Sequence, residues 1–191
     1  MKFLPMLITA LCCSPYLKVS AHATFPSTSS TQSIHHEDET QKANALFDQM
    51  YMERVNRNPT KQTSMGLKTN YDKWNDISEE FVLKEFQHAK NNLLRLKALN
   101  ANRLDKQTML SYELFKQEQQ QRINDYKWRH HDYPVNQMWG THTRIPAFLI
   151  NRHNIHNIAD ANDYIARISG AEMLIEQLLV QLKTRETKGI I

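Results

Sequence analysis

The stretch DANDYIARISGAEMLIEQLLVQLK, residues 160–183, decides the fold. Tyr164, Ile168, Ala171, Ile175, Leu178 and Leu182 recur at alternating steps of four and three residues, which gathers them on one face of a helix. Asp160 stands where an N-cap belongs, and Gly189 stands where such a helix would stop. No proline interrupts the run, and no apolar–polar alternation offers a strand in its place. The reading is a long amphipathic helix.

Moving toward the N-terminus, the same period returns three times. Over residues 41–56, Ala43, Leu46, Phe47, Met50, Tyr51 and Val55 form a stripe that Pro59 ends. Asp76 reads as an N-cap, with Glu79 placed to reach back to it, ahead of Val82, Phe86, Ala89, Leu93 and Leu96. Asp105 caps a third helix through Met109, Leu110, Leu114 and Phe115, which continues into KQEQQQR (116–122), an exposed polar face. Between the first two helices, residues 58–75 read as a loop holding Gly66, Tyr71 and Trp74.

Residues 126–159 break the period. Pro134, Gly140 and Pro146 punctuate a segment that carries Tyr126, Trp128, Tyr133, Trp139 and five of the nine histidines. With no strand and no internal repeat, the expected fold is all-α: long antiparallel helices with one irregular aromatic/His-rich crossover. The chain has only 4 glycines among 191 residues, so glycine-rich phosphate loops and hairpin-rich β folds lack their raw material.

The N-terminus carries no fold signal of this kind. Met1 and Lys2, the apolar run FLPMLITALCC (3–13) and Ala21-His22-Ala23 make residues 1–23 a cleaved secretory signal, the run being too short to span a bilayer. Cys12 and Cys13 close that run, but Leu11 before them does not suit lipid modification. Residues 24–40, rich in Ser and Thr and then charged, read as a disordered linker ahead of a helical domain at 41–191. Cleavage removes both cysteines, so the exported chain has no thiol chemistry. It also removes Lys2 and Lys18 and no acid, which trims the formal +4 charge. Mixed signs along the rest give no nucleic-acid footprint. The expectation is a periplasmic or extracellular bacterial protein with no membrane span after cleavage.

Chemistry is sparse. The zinc pattern His-Glu-x-x-His places two imidazoles on one helix face beside a base, and the chain's one His-Glu pair, His36-Glu37, lacks the second histidine. His153, His156 and Asp160 fall at i, i+3 and i+7 and would form a weak metal triad on a continuous helix, although an N-cap at Asp160 would break that alignment. Nucleophile elbows and phosphate loops are absent. The carboxylate pairs Glu79-Glu80 and Asp160/Asp163 sit at helix starts, where dipole and capping account for them. No catalytic residue is assigned. The ligand-facing candidates are Trp128, His131, Tyr133, Asn136, Gln137 and Trp139, against the plainer alternative of aromatics filling space beneath a long loop.

Certain marks also carry a resemblance: Pro59 and Gly66, LLRLKALN (93–100), Leu104-Asp105, Pro134-Val135-Asn136-Gln137 with Gly140, Ile145-Pro146, Asp163-Tyr164-Ile165-Ala166-Arg167 and Gly189-Ile190-Ile191. Together they resemble the N-terminal part of the bacterial family catalogued as domain of unknown function 885, whose members are mostly exported and much longer. The resemblance implies a helical fold similar to zincin-type zinc peptidases, with hydrolysis of peptides or related small amides. It also implies that zinc, its His-Glu helix and any peptide-like ligand belong to the full-length architecture, so that this chain binds no cofactor itself. Because the matching stretch stops at Ile191, the expectation is a truncated member, inactive alone. The competing expectation is a self-sufficient exported helical binding or interaction module using residues 126–156.

Overall fold

Helix α1 (Ser30–Asn56) opens the computed structural model, which describes residues 30–190. The signal segment and residues 24–29 of the expected linker lie outside the described residues. The rest of that linker is corrected: residues 30–40 continue helix α1. Its last two residues are tied to the body, since the Asn100 N–H donates to Glu39 Oε1 (2.8 Å) and the Asp105 N–H to Thr40 Oγ1 (3.0 Å).

Helices α2 (Pro59–Ser64), α3 (Glu79–Lys97), α4 (Lys106–Asp125), α5 (Thr141–Asn151) and α6 (Ile158–Thr187) follow, with 3₁₀ turns at Ala101–Arg103 and Tyr126–Trp128. Among the described residues there is no strand, only an isolated bridge between Val135 and Gly140. The all-α expectation holds. Among the same residues no helix is long and apolar enough to cross a membrane.

The loop expected at 58–75 contains a helix of its own. Asn58 caps α2 by accepting from Lys61 N–H (2.9 Å), with Pro59 at the first helical position, where its missing N–H costs nothing. Gln62, buried within α2, donates to the carbonyls of Val55 and Asn56, both at 3.0 Å, and so satisfies the end of α1. Gly66, at φ +78, reverses the chain: Gly66 N–H donates to Thr63 O and Leu67 N–H to Gln62 O.

Two other helix starts differ from the expected caps, α3 beginning later and α6 earlier. The α3 cap is Ser78, which accepts from Phe81 N–H (3.2 Å), while Asp76 accepts from Ser78 N–H (2.8 Å) one turn earlier. The α6 cap is Asn157, accepting from Asp160 N–H (2.9 Å), which places Asp160 inside the first turn. Asp105 does cap α4, through Thr108 N–H at 2.8 Å. Hydrogen bonds from Thr108 hold its carboxyl below the usual carboxylate range.

Helices α3 and α4 pack along each other across a short connection, α1 lies against α4, and α5 against α6. The apolar core joins Ala43, Phe47 and Met50 of α1 to Leu96, Leu99 and Tyr112, and Phe47 stacks on Phe115 with ring centres 4.8 Å apart. At the far end, Gly189 (φ +65) closes α6: Gly189 N–H donates to Glu186 O (2.9 Å) and Ile190 N–H to Arg185 O (3.0 Å).

The buried face of α6 differs from the apolar stripe expected from its sequence. Asp160, Arg167, Leu174, Leu178 and Arg185 are inside, and Ile168 is half exposed. Apolar side chains run nearly all the way round this helix, so periodicity alone selects among several faces. The inward face is the one whose polar groups find partners.

Candidate functional site

Arg167 is fully buried, with a relative exposure of 0%. Its guanidinium gathers the segment between α2 and α3 onto α6. Nε and Nη2 donate to the Lys73 carbonyl (3.1 and 2.8 Å), and Nη2 also donates to Thr63 Oγ1 (3.0 Å). Nη1 meets His153 Nδ1 at 2.8 Å. The rings of Tyr71, Trp74 and Phe148 enclose the cation at 5.4, 5.6 and 5.0 Å. Burial lowers the Arg167 pKa, but guanidinium starts so high that it stays charged. Carbonyls, a ring nitrogen and aromatic faces therefore stabilise this cation, and no carboxylate is among its hydrogen-bond partners.

Around it lies a second layer. The Trp74 indole N–H donates to the Arg167 carbonyl (2.6 Å), and the Tyr71 hydroxyl to the Asn154 carbonyl (2.9 Å). His153 packs against Tyr71 and edge-on to Tyr164, with ring centres 4.1 and 5.1 Å away. Asp160 is buried, receives Lys68 on both oxygens (2.5 and 2.7 Å) and accepts the His156 N–H at 2.9 Å. The Lys68 hydrogen bond, followed by the His156 N–H, pulls the Asp160 carboxyl below its ordinary range.

The weak metal alternative at His153, His156 and Asp160 does not fit this arrangement. His153 and His156 precede the start of α6 at Ile158, so the three side chains do not share a helix face. Both nitrogens of His153 are engaged, Nε2 facing the Asp160 carbonyl at 3.2 Å, and both Asp160 oxygens are held by Lys68 and His156. A zinc site needs free lone pairs converging at bonding distance, and this donor set does not fit one. The cluster is a clamp. It fixes two loops against a helix and offers no nucleophile.

The ligand-facing candidates fall in two groups. Trp128 and His131 meet edge-to-face at 5.0 Å beside the 3₁₀ turn that ends α4. Asn136 builds a tight reversal, its Oδ1 accepting from Met138 N–H (2.9 Å) and Trp139 N–H (2.7 Å) while its own N–H donates to the Trp139 carbonyl (2.9 Å). Gly140 closes the reversal where a Cβ would lie 3.0 Å from the Pro134 carbonyl and 2.6 Å from the His142 ring. Tyr133 and Trp139 point into solvent, 71% and 65% exposed, as do Met138 and Gln137. Tyr133 and Trp139 thus do not fill the space beneath the loop, whereas Tyr126 is half-buried and stacks on Phe86 at 4.1 Å. Among the described residues no ring contact joins Trp128 to Trp139.

A family model described as "Bacterial protein of unknown function (DUF885)" matches residues 59–191, from the start of α2 onward. The chain belongs to the DUF885 family. No curated protein and no solved structure matches it. The matched range holds both parts of the arrangement, the Arg167 clamp and the Asn136 reversal. Arg167 lies in the Asp-Tyr-Ile-Ala-Arg run quoted above, but its role escaped the sequence reading, which kept charged residues off the buried face. The available signal was the heptad spacing of Asp160, Arg167 and Leu174. Lys68, Tyr71 and Trp74, remote in sequence, gave none beyond an aromatic-rich loop.

Proposed function

We propose that this DUF885 chain is the helical lobe of an exported zinc-dependent hydrolase acting on peptides or related small amides, with the zinc and its ligands supplied by a further part of the family architecture. The observation that carries this reading is the outward face of α6. Opposite the buried Asp160–Arg167–Leu174 side, Ile158 is 81% exposed and Val180 65%, and Ile165, Ile168, Met173 and Leu179 are also exposed. Exposed apolar residues spread along one long helix, interspersed with the exposed Ser169, Glu172 and Glu176 of the same face, are what a second packed layer would cover. The Arg167 clamp supports the same reading, because it holds that helix rigidly in place while contributing no reacting group.

A second reading, a self-sufficient binding module, is favoured by the exposed Tyr133, Met138 and Trp139 at the crossover. A peptidase assay on the purified chain separates a lobe from a complete enzyme. The lobe reading expects no hydrolysis of a mixed peptide library with or without added zinc. Chelator-sensitive hydrolysis by the chain alone would overturn it.

A further inference from the structure

A cleft of about 150 Å³ opens between the segment following Tyr71, helix α5 and helix α6. Trp74, Ile77, Ile145, Phe148 and Leu174 make its walls. Trp74 and Phe148, ring centres 5.4 Å apart, are the aromatics that also enclose Arg167, so the wall of the cleft is braced from behind by the clamp. The Trp74 N–H is already engaged by the Arg167 carbonyl, which leaves an apolar face toward the cleft.

The rim is polar and consists of Thr60, Asn75, Thr141 and Arg144. Asn75 Oδ1 accepts the Thr60 N–H at 2.9 Å, while no hydrogen bond engages the Asn75 amide N–H₂ among the described residues. Arg144 is the single charged residue of the lining, and no ion pair or hydrogen bond reaches its guanidinium among the described residues. This sets the cleft apart from the one between α1, α3 and α4, whose arginines face their own acids: Arg54 meets Glu118 at 2.6 Å and Arg57 meets Glu85 at 2.5 Å. Thr141 and Arg144, three residues apart, rise from one side of the first turn of α5, and no side chain caps that turn.

We propose that this cleft binds a small molecule bearing one carboxylate on an apolar body. The apolar part lies against Trp74, Phe148 and Leu174; the carboxylate is taken by Arg144, with the Thr141 hydroxyl and the Asn75 amide as further donors. A planar guanidinium matches a carboxylate through paired hydrogen bonds, and apolar walls with few convergent polar groups are the usual form of a small-ligand site. One unpaired cation in the lining selects a monoanion over a neutral or doubly charged body. The inference stands apart from the lobe reading, since either can fail alone.

The test is titration of the full chain with 3-phenylpropionate, followed by tryptophan fluorescence and calorimetry. Saturable binding is expected, with 3-phenylpropanamide and acetate each weaker by about tenfold or more. Arg144→Gln should weaken 3-phenylpropionate by about as much while leaving the thermal midpoint unchanged, because Arg144 is exposed and makes no contact needed for folding. Equal binding of the amide, undiminished binding by Arg144→Gln, or no binding at all would overturn the proposal. Binding of a peptide ending in phenylalanine but not of the free acid would also overturn it, in favour of chain-end recognition.

Discussion

Arg167 Nη1 stands 2.8 Å from His153 Nδ1. A guanidinium can only donate, so Nδ1 must accept, and the ring proton sits on Nε2, 3.2 Å from the Asp160 carbonyl it then donates to. The neutral tautomer of His153 is dictated by its neighbours on both sides. A second ring proton would face the arginine N–H and break the contact.

Acid should therefore loosen the clamp. Burial above all holds the His153 pKa below its ordinary 6.5; the hydrogen bond to the Asp160 carbonyl opposes it, the Arg167 charge adds to the lowering, and Asp163 and Asp160 oppose it weakly. The folded state then binds fewer protons than the unfolded chain, so this stability is present in full above the unfolded value near pH 6.5 and is lost as pH falls from there through the lower folded value. Burial shifts His130 the same way. Urea midpoints should fall between pH 7.5 and 5.5, and His153→Gln should remove its share of that slope. An unchanged slope in the variant would contradict the tautomer assignment.

A second acid step should follow lower down. Asp160, through Lys68, and Asp105, through Thr108, have lowered pKa values. Their contribution is present above the unfolded carboxylate range near pH 4 and is lost as pH falls through the folded values. Asp160→Asn should flatten the fall below pH 4 and, by removing a charge that opposes the lowering of the His153 pKa, move the upper step slightly lower.

Replacing Arg167 tests the clamp itself. Arg167→Met removes donors from the Lys73 carbonyl, Thr63 and His153 inside a closed site, and should cost about 3 kcal/mol or more in urea unfolding. Arg167→Lys should not rescue it, because a point ammonium cannot reproduce the fork. A loss within about 0.5 kcal/mol, as at an ordinary surface site, would show that the buried contacts carry no weight.

Caps and turns give local checks. Ser78→Ala should cost about 1 kcal/mol as the true α3 cap, and Asp76→Ala less. Gly66→Ala and Gly189→Ala should each cost about 1–2 kcal/mol, since both residues sit at positive φ. A larger loss for Asp76→Ala than for Ser78→Ala would restore the earlier helix start.

These checks also mark what the sequence made legible. The four long helices, Gly189 as a stop and Asp105 as a cap could be read, because each follows from local periodicity or a local hydrogen bond, whereas α2 and α5 lie in stretches read as a loop and an irregular crossover. The inward face of α6 could not: Ile168 and Ile165 are as apolar as Leu174, and the burial of Arg167 is compensated by partners remote in sequence, the Lys73 carbonyl and Thr63 Oγ1, together with His153. Asp160 looked like a cap because its partner Lys68 lies 92 residues away. The exposure of Met138 and Trp139 at the crossover goes with the Asn136 reversal, a turn set by one side chain and not legible from periodicity.

The uncovered face of α6 is what a second layer would pack against. Analytical ultracentrifugation of the purified chain, paired with binding of an environment-sensitive apolar dye, tests it most directly. The predicted result is dye binding and concentration-dependent self-association, both reduced by the double variant Ile165→Glu, Leu179→Lys with the helical signal retained. A monomer at all concentrations that binds no dye and melts cooperatively would contradict it, and would identify the chain as a module complete in itself.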